Sequence, residues 1–266
     1  MPHDYFADRP ISGRSLMALA GEIDRARDEV PNTLLFDNGD VLQGNPMGDL
    51  FAVETTPWPG GVHPMIAAMN ELGYDAAAPG NHDFNFGLDL LHRAVAGARF
   101  PLCAANAVTR KGATPDQDQT LFPPTLILGR QVQDMAGQSH DIRIGVIGLL
   151  PPQTTMWDRR HLSGRIETPD IVTTARAHIP ALRRAGADLV VALAHTGIGA
   201  AMWSEGMENA AIPLAEVPGI DALFLGHSHL IFPDPSLKNA PAPVDPTRGT
   251  IHGVPAAMPG LLGSHL

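Results

Sequence analysis

Four short clusters in this sequence carry side chains able to do chemistry. They are Asp40 in Asp37-Asn38-Gly39-Asp40, Asn81-His82-Asp83 within Pro79–Gly87, His195 in Ala194-His195-Thr196-Gly197, and the pair in Gly226-His227-Ser228-His229. Taken together they offer carboxylates, an amide and imidazoles, a hard-to-borderline donor set that suits Zn, Mn, Fe, Co or Ni rather than a thiolate-seeking ion. A carboxylate such as Asp40 can bridge two ions about 3.5–4 Å apart, the arrangement of two-metal phosphoester hydrolysis. His227 and His229 alternate, so both face one ion pair only if a bend intervenes. Each cluster also has a plainer reading. Asn, Asp and Gly are the commonest turn residues, and a single His at a strand end serves structure as readily as ligation. Their joint occurrence is what points to a metal site.

Each cluster follows a short apolar run. Thr33–Phe36 precedes the first, Asp75–Ala78 the second, Asp188–Leu193 the third and Asp221–Leu225 the fourth, and all four read as strands. Ile142–Leu149 is strongly β-branched and reads as a buried strand; Phe100–Ala104 and Val254–Met258 are further candidates. Helical periodicity runs through Leu16, Leu19, Ile23, Ala26 and Val30 over 13–30, with Ser12 or Ser15 near its start. It recurs over 63–72, over 88–96, through Ala175, Ile179 and Leu182 over 171–185, and briefly over 209–216. Residues 109–141 read as an excursion or hairpin around Thr125–Leu128, and 231–250 as an irregular Pro-rich tail. Strands alternating with helices predict a layered α/β fold. In such a fold, strand ends converge on one crevice.

The 266 residues suffice for one large domain or two small ones, and 44% hydrophobic content can bury a real core. A formal net charge of −10 argues against a surface that coats a nucleic-acid polymer. It leaves a phosphate-bearing substrate open, because bound cations reverse the local sign. Cys103 is the sole cysteine, so no internal disulfide forms. No stretch approaches the roughly 20 apolar residues of a membrane span. The first ten residues, MPHDYFADRP, lack the basic start and apolar core of a signal peptide. If Met1 is the true start, the chain is expected to stay where it is made.

The four motifs, with the longer stretches LLFDNGDVLQGNPMGD, PGNHDFNFGLDLL and GHSHLIFP…IHGVPAAMPGLLGSHL, resemble the calcineurin-like metallophosphoesterases of the 5′-nucleotidase branch. Asn85-Phe86-Gly87-Leu88 makes the sequence most similar to the 2′,3′-cyclic-nucleotide 2′-phosphodiesterase/3′-nucleotidase group. The resemblance implies an α/β/β/α sandwich, two divalent ions (Zn, Mn, Co or Fe) and a nucleotide substrate. It implies that Asp40 bridges the ions, that Asn81, His195 and His227 complete the second metal site, and that His229 serves the first. It further implies that His82, paired with Asp83, approaches the phosphate and protonates or stabilises the departing oxygen. Relatives in the group are periplasmic.

Departures from the family pattern generate expectations of their own. The family's first metal motif, an Asp-x-His, belongs just upstream of Pro2-His3-Asp4-Tyr5, and neither His3 nor Asp4 is taken as a ligand. Residues 1–266 are therefore expected to form a partial metallophosphoesterase domain, incomplete at both ends, with a weakly held ion at the first site. The family's C-terminal domain, whose aromatic side chains stack on the base, has no counterpart in these residues. Alternatives are a 5′-nucleotidase or broad phosphomonoesterase, and an inactive remnant that binds metal and phosphate.

Overall fold

A computed structural model describes residues 3–4, 8–10, 16–53, 57–237 and 240–260. A two-residue hairpin, β1 (His3–Asp4) with β2 (Arg9–Pro10), precedes helix α1 (Leu16–Glu29). The serines expected at its cap lie outside the described residues. Strand β3 (Phe36–Asp37) leads to α2 (Pro46–Ala52). The sequence reading missed α2, although Asn45-Pro46 is a start signal: the Asn45 side chain accepts the Gly48 N–H, with Pro at the first helical turn. Helix α3 (Pro64–Leu72) ends on left-handed Gly73, and β4 (Ala76–Ala77) and α4 (Leu88–Val95) follow.

Within the expected excursion, β5 (Val108–Arg110) pairs with β6 (Gln119–Thr120). The excursion then becomes a long antiparallel hairpin, β7 (Thr125–Gln133) with β8 (Ser139–Leu149). Two single turns, α5 (Thr154–Trp157) and α6 (Arg159–Leu162), lead to α7 (Ile171–Arg184), β9 (Leu189–Ala194), α8 (Ala211–Ala215) and β10 (Ala222–Leu225). The tail is more ordered than its Pro-rich composition suggests, carrying β11 (Ile231–Phe232), β12 (Val244–Asp245) and the start of β13 (Thr250–Ile251), and β14 (Val254–Pro259) forms where a strand was expected at Val254–Met258.

Two sheets pack face to face. Among the described residues the larger has eight strands in the order β12-β13-β14-β10-β9-β8-β7, with β11 on β14. Its centre, β8-β9-β10-β14, is parallel. The smaller sheet pairs β3 with β4 in parallel, and one bridge from Ala77 to Leu102 extends it. That bridge is all that forms of the strand expected at Phe100–Ala104.

Both faces of β9 are buried, and its period-2 alternation divides the core. Val190, Ala192 and Ala194 pack with Ala175, Ile179 and Leu182 of α7 and with α8. Val191 and Leu193 face the other way, onto Ala76, Ala78 and Cys103, with Phe36 edge-on to Phe224. Helices α3 and α4 cover the outside of the smaller sheet through Ile66, Met69, Leu88 and Leu91. The layers are thus helix, sheet, sheet, helix. Among the described residues no helix is long and apolar enough to cross a membrane.

The sheets approach so closely that Gly148 tolerates no side chain, since a Cβ there would lie 2.0 Å from the Cys103 carbonyl oxygen. Cys103 itself is inert, because burial pushes its thiol up to about 12. Beside it, fully buried Asn106 straps the end of β8. Its amide donates to the Leu150 and Pro169 carbonyls at 2.8 and 2.9 Å, and its oxygen accepts the Leu150 N–H at 2.8 Å. Stranding those groups is expensive, so Asn106→Ala is expected to lower unfolding free energy by about 3 kcal/mol. Urea titration checks this, and a loss below about 1 kcal/mol would mean that water replaces the amide.

Candidate active site

All four chemical clusters emerge beyond the carboxyl ends of parallel strands. Asp40 follows β3 and Asn81-His82 follows β4, both from the smaller sheet. His195 follows β9 and His227 follows β10, both from the larger. The crevice therefore lies on the seam between the two sheets, where ligand sites of layered α/β folds occur.

The smaller sheet's two loops meet at glycines. A Cβ on Gly39, whose φ is 92°, would fall 2.0 Å from the Gly80 nitrogen. One on Gly80 would fall 2.2 Å from Asp40 Oδ1 and 2.7 Å from His195 Cε1. Asp83 then locks the loops together. Its Oδ2 accepts the N–H groups of Asp40 and Gly80, each at 2.8 Å. Its Oδ1 accepts those of Val41 and Leu42, at 2.9 and 3.0 Å. Burial and then the charge of Asp40 raise the Asp83 carboxyl above its ordinary range, against the pull of those N–H groups. Nearby Asp37, also buried, is pushed up to about 7, chiefly by desolvation.

Asn38 spans the seam. Its amide donates to the Ala194 and Phe224 carbonyls at 3.0 and 3.1 Å, and its own carbonyl accepts from His195 Nδ1 at 2.6 Å. That contact fixes the proton of His195 on Nδ1 and leaves Nε2 as the electron-pair donor of the neutral ring. Nε2 lies 3.0 Å from Asp40 Oδ2, deeply buried and without a hydrogen-bond partner. Burial pushes the His195 imidazole down, but Asp40 more than offsets it and the net shift is upward. Asp40 itself is lowered despite its burial, through contact with His195 and the His82 N–H. Two electron-pair donors face each other across a gap that a cation would fill.

His227 stands next to this pair, its ring centroid 5.4 Å from that of His195. Its Nδ1 lies 3.0 Å from Asn81 Oδ1 and its Nε2 lies 2.8 Å from Glu208 Oε1. Trp157 stacks on the ring at 5.4 Å and 23°. Burial is the largest influence on the imidazole and keeps it below its usual range. The structure thus brings together Asp40, Asn81, His195 and His227. It does not join His229 to them: that side chain is exposed, with no hydrogen bond or ion pair to another described residue. Five non-glycine residues among those described have left-handed backbone, and Asp40, His227 and His229 are three of them. Such strain concentrates where function demands a particular side-chain aim.

The pairing expected between His82 and Asp83 is corrected. Asp83 spends both oxygens on backbone N–H groups, while His82 Nδ1 donates to Asn85 Oδ1 at 2.6 Å. The Asn85 amide in turn donates to Asp158 Oδ2 at 2.8 Å. Asn38 and Asn85 lay inside motifs already singled out, and their roles were hidden by their neighbours. Trp157 at the end of α5, Asp158 between α5 and α6, and Glu208 before α8 belong to no motif, so only the fold reveals them.

Residues 13–230 match the calcineurin-like phosphoesterase family. The chain belongs to that family. It is 42% identical over 266 residues to the 2′,3′-cyclic-nucleotide 2′-phosphodiesterase/3′-nucleotidase of Salmonella typhimurium, covering 100% of this chain and 40% of that protein. It is 38% identical over 276 residues to the trifunctional nucleotide phosphoesterase YfkN of Bacillus subtilis, covering 100% of this chain and 18% of that one. The crystal structure of the YfkN calcineurin-like phosphoesterase superposes with a TM-score of 0.90 at 39% identity, over 99% of this chain and 78% of that one. The chain therefore spans about 40% of the length of the Salmonella relative it matches.

Calcineurin-like phosphoesterases use divalent metals. The side chains of this chain fit one, because the buried His195 Nε2 has no hydrogen-bond partner and faces the Asp40 carboxylate. Among the described residues no three His, Cys, Asp or Glu side chains enclose an ion by themselves. Gly80→Ala drives a methyl group into Asp40 and His195. This variant is expected to lose at least about tenfold in Mn affinity by calorimetry while keeping its far-UV circular dichroism. Unchanged affinity would remove the Asp40–His195 contact from metal binding.

Proposed function

We propose that this chain carries a hydrolytic centre for nucleotide phosphoesters, opening 2′,3′-cyclic nucleotides and then removing the 3′-phosphate. The observation that carries this reading is the unbridged Asp40–His195 pair at the meeting of four strand ends. The similarity of the whole chain to the Salmonella 2′,3′-cyclic-nucleotide 2′-phosphodiesterase/3′-nucleotidase supports the substrate class.

In this reading Asp40 would serve both of two divalent ions of the Zn, Mn, Co or Fe kind; Asn81, His195 and His227 would complete one site and His229 would contribute to the other. Bound ions supply Lewis-acid withdrawal of charge from the phosphoryl oxygens. The remaining work falls to the chain. Glu208 and Trp157 hold the His227 ring from its edge and its face, and Asn38 sets the tautomer of His195. His82 spends Nδ1 on Asn85, so Nε2 is the end free to meet substrate. There the ring, having taken up a second proton from solvent, hands it from Nε2 to the departing ribose oxygen as the P–O bond breaks. In the first step that oxygen is the 2′ oxygen, water adds to phosphorus, and a 3′-phosphate remains. In the second, the 3′ oxygen leaves and inorganic phosphate is released.

The test is hydrolysis of 2′,3′-cyclic AMP, 3′-AMP and 5′-AMP with added Mn or Co. The first two are expected to be consumed and 5′-AMP spared; preference for 5′-AMP would favour a 5′-nucleotidase. No turnover with metal bound would favour a phosphate-binding remnant. Asp40→Ala is expected to lose both metal and turnover, and unchanged stoichiometry by elemental analysis would sink the bridging role. His82→Ala should lower kcat by about 10²-fold or more with metal content unchanged. Equal rates in both proteins would take His82 out of the reaction.

A further inference from the structure

We propose that Asp158 is a positioning residue for His82, acting through Asn85 to fix which imidazole nitrogen carries the proton. The inference rests on the reading of His82 given above. The chain of contacts is short and directional: His82 Nδ1 to Asn85 Oδ1 at 2.6 Å, then Asn85 Nδ2 to Asp158 Oδ2 at 2.8 Å. An ionised carboxylate only accepts, so Asp158 takes the NH2 end of the amide. The amide oxygen is thereby turned to His82, and because it too only accepts, His82 Nδ1 must donate. With Nδ1 keeping its proton, Nε2 is the nitrogen at which the ring takes up and gives away its second proton.

An isolated asparagine could not enforce this. Its amide presents either end to a neighbouring imidazole, and a flip would move the imidazole proton to the other nitrogen. The acceptor-only carboxylate removes the choice.

The placement of Asp158 argues against a merely local role. It occupies the N-cap of α6, where an aspartate usually accepts an N–H of its own helix, yet here the side chain makes no capping bond. The carboxylate instead reaches Asn85, 73 residues away in sequence. Its mount is rigid. Fully buried Leu162 of α6 packs with Phe84, Leu88 and Leu91, and the Thr154 hydroxyl at the start of α5 donates to the Pro151 carbonyl at 2.8 Å. The preceding residue, Trp157, stacks on His227. One turn of chain therefore supports both the metal-side histidine and the substrate-side histidine.

The test uses the full chain and two independent readouts. The first is the tautomer of His82, read without metal from its side-chain ¹⁵N shifts at a pH well above the ordinary imidazole pKa. The parent is expected to show the Nδ1–H form, and Asp158→Leu to shift population to Nε2–H. The second is turnover of 3′-AMP with Mn. Asp158→Leu is expected to lose about tenfold in kcat with KM within about twofold, and Asp158→Asn, whose amide can present either end to Asn85, is expected to fall between Asp158→Leu and the parent.

Asn85→Asp alone sets two carboxylates against each other and is expected to lower kcat. Combined with Asp158→Asn it rebuilds the same donor order and is expected to restore the rate. The double variant also decides the matter should Asp158→Leu fold poorly. An unchanged tautomer in Asp158→Leu, or a double variant no better than its worse single, overturns the proposal. If the parent turns over no nucleotide, the functional reading fails while the tautomer still decides this one.

Discussion

Everything chemical in this protein depends on one buried carboxylate accepting four backbone N–H groups. Asp83 reaches from the turn after β4 to the loop after β3 and holds Asp40, Val41, Leu42 and Gly80 together. The cost is large: a charge is desolvated beside the like charge of Asp40. It is offset by charge-assisted hydrogen bonds, each stronger than a neutral one. The result is a left-handed Asp40 whose side chain has one direction available to it. A carboxylate that looks catalytic in the sequence spends both oxygens holding two loops together.

The seam between the sheets supplies the second constraint. Asp40 and Asn81 arrive from the smaller sheet, His195 and His227 from the larger, and Asn38 binds carbonyls of two larger-sheet strand ends. The glycines at 39, 80 and 148 are the steric condition for that approach, each with no room for a methyl group. Side chains from the loops between strands then trim each imidazole: Glu208 and Trp157 for His227, Asn85 and Asp158 for His82.

The layer architecture was legible in the sequence because the β-branched run at Ile142–Leu149 and the apolar runs before His195 and His227 carry unmistakable strand character. The helical period through Ala175, Ile179 and Leu182 was equally plain, and those residues are buried against the large sheet. The smaller sheet was harder to read. Its strands are two residues long, and Phe100–Ala104, apolar enough to be a strand, contributes one bridge. The convergence of Asp40, Asn81, His195 and His227 could be anticipated from their shared position after strands. The partner of His82 could not, since Asp83 is nearer in sequence than Asn85, and the Asp158 that holds Asn85 is adjacent to it only in space. His229 stands apart and exposed, as its alternation with His227 allows.

A site whose donors are divided between two sheets does not exist until the sheets have docked. A cation that prefers the completed site is therefore linked to folding: it stabilises the docked state by its binding free energy and contributes nothing to either sheet alone. The ion would serve the chain as an intramolecular rivet at the seam. The cooperativity of unfolding would then vary with metal supply, and a mutation far from the crevice that loosens sheet docking would read out first as weakened metal binding.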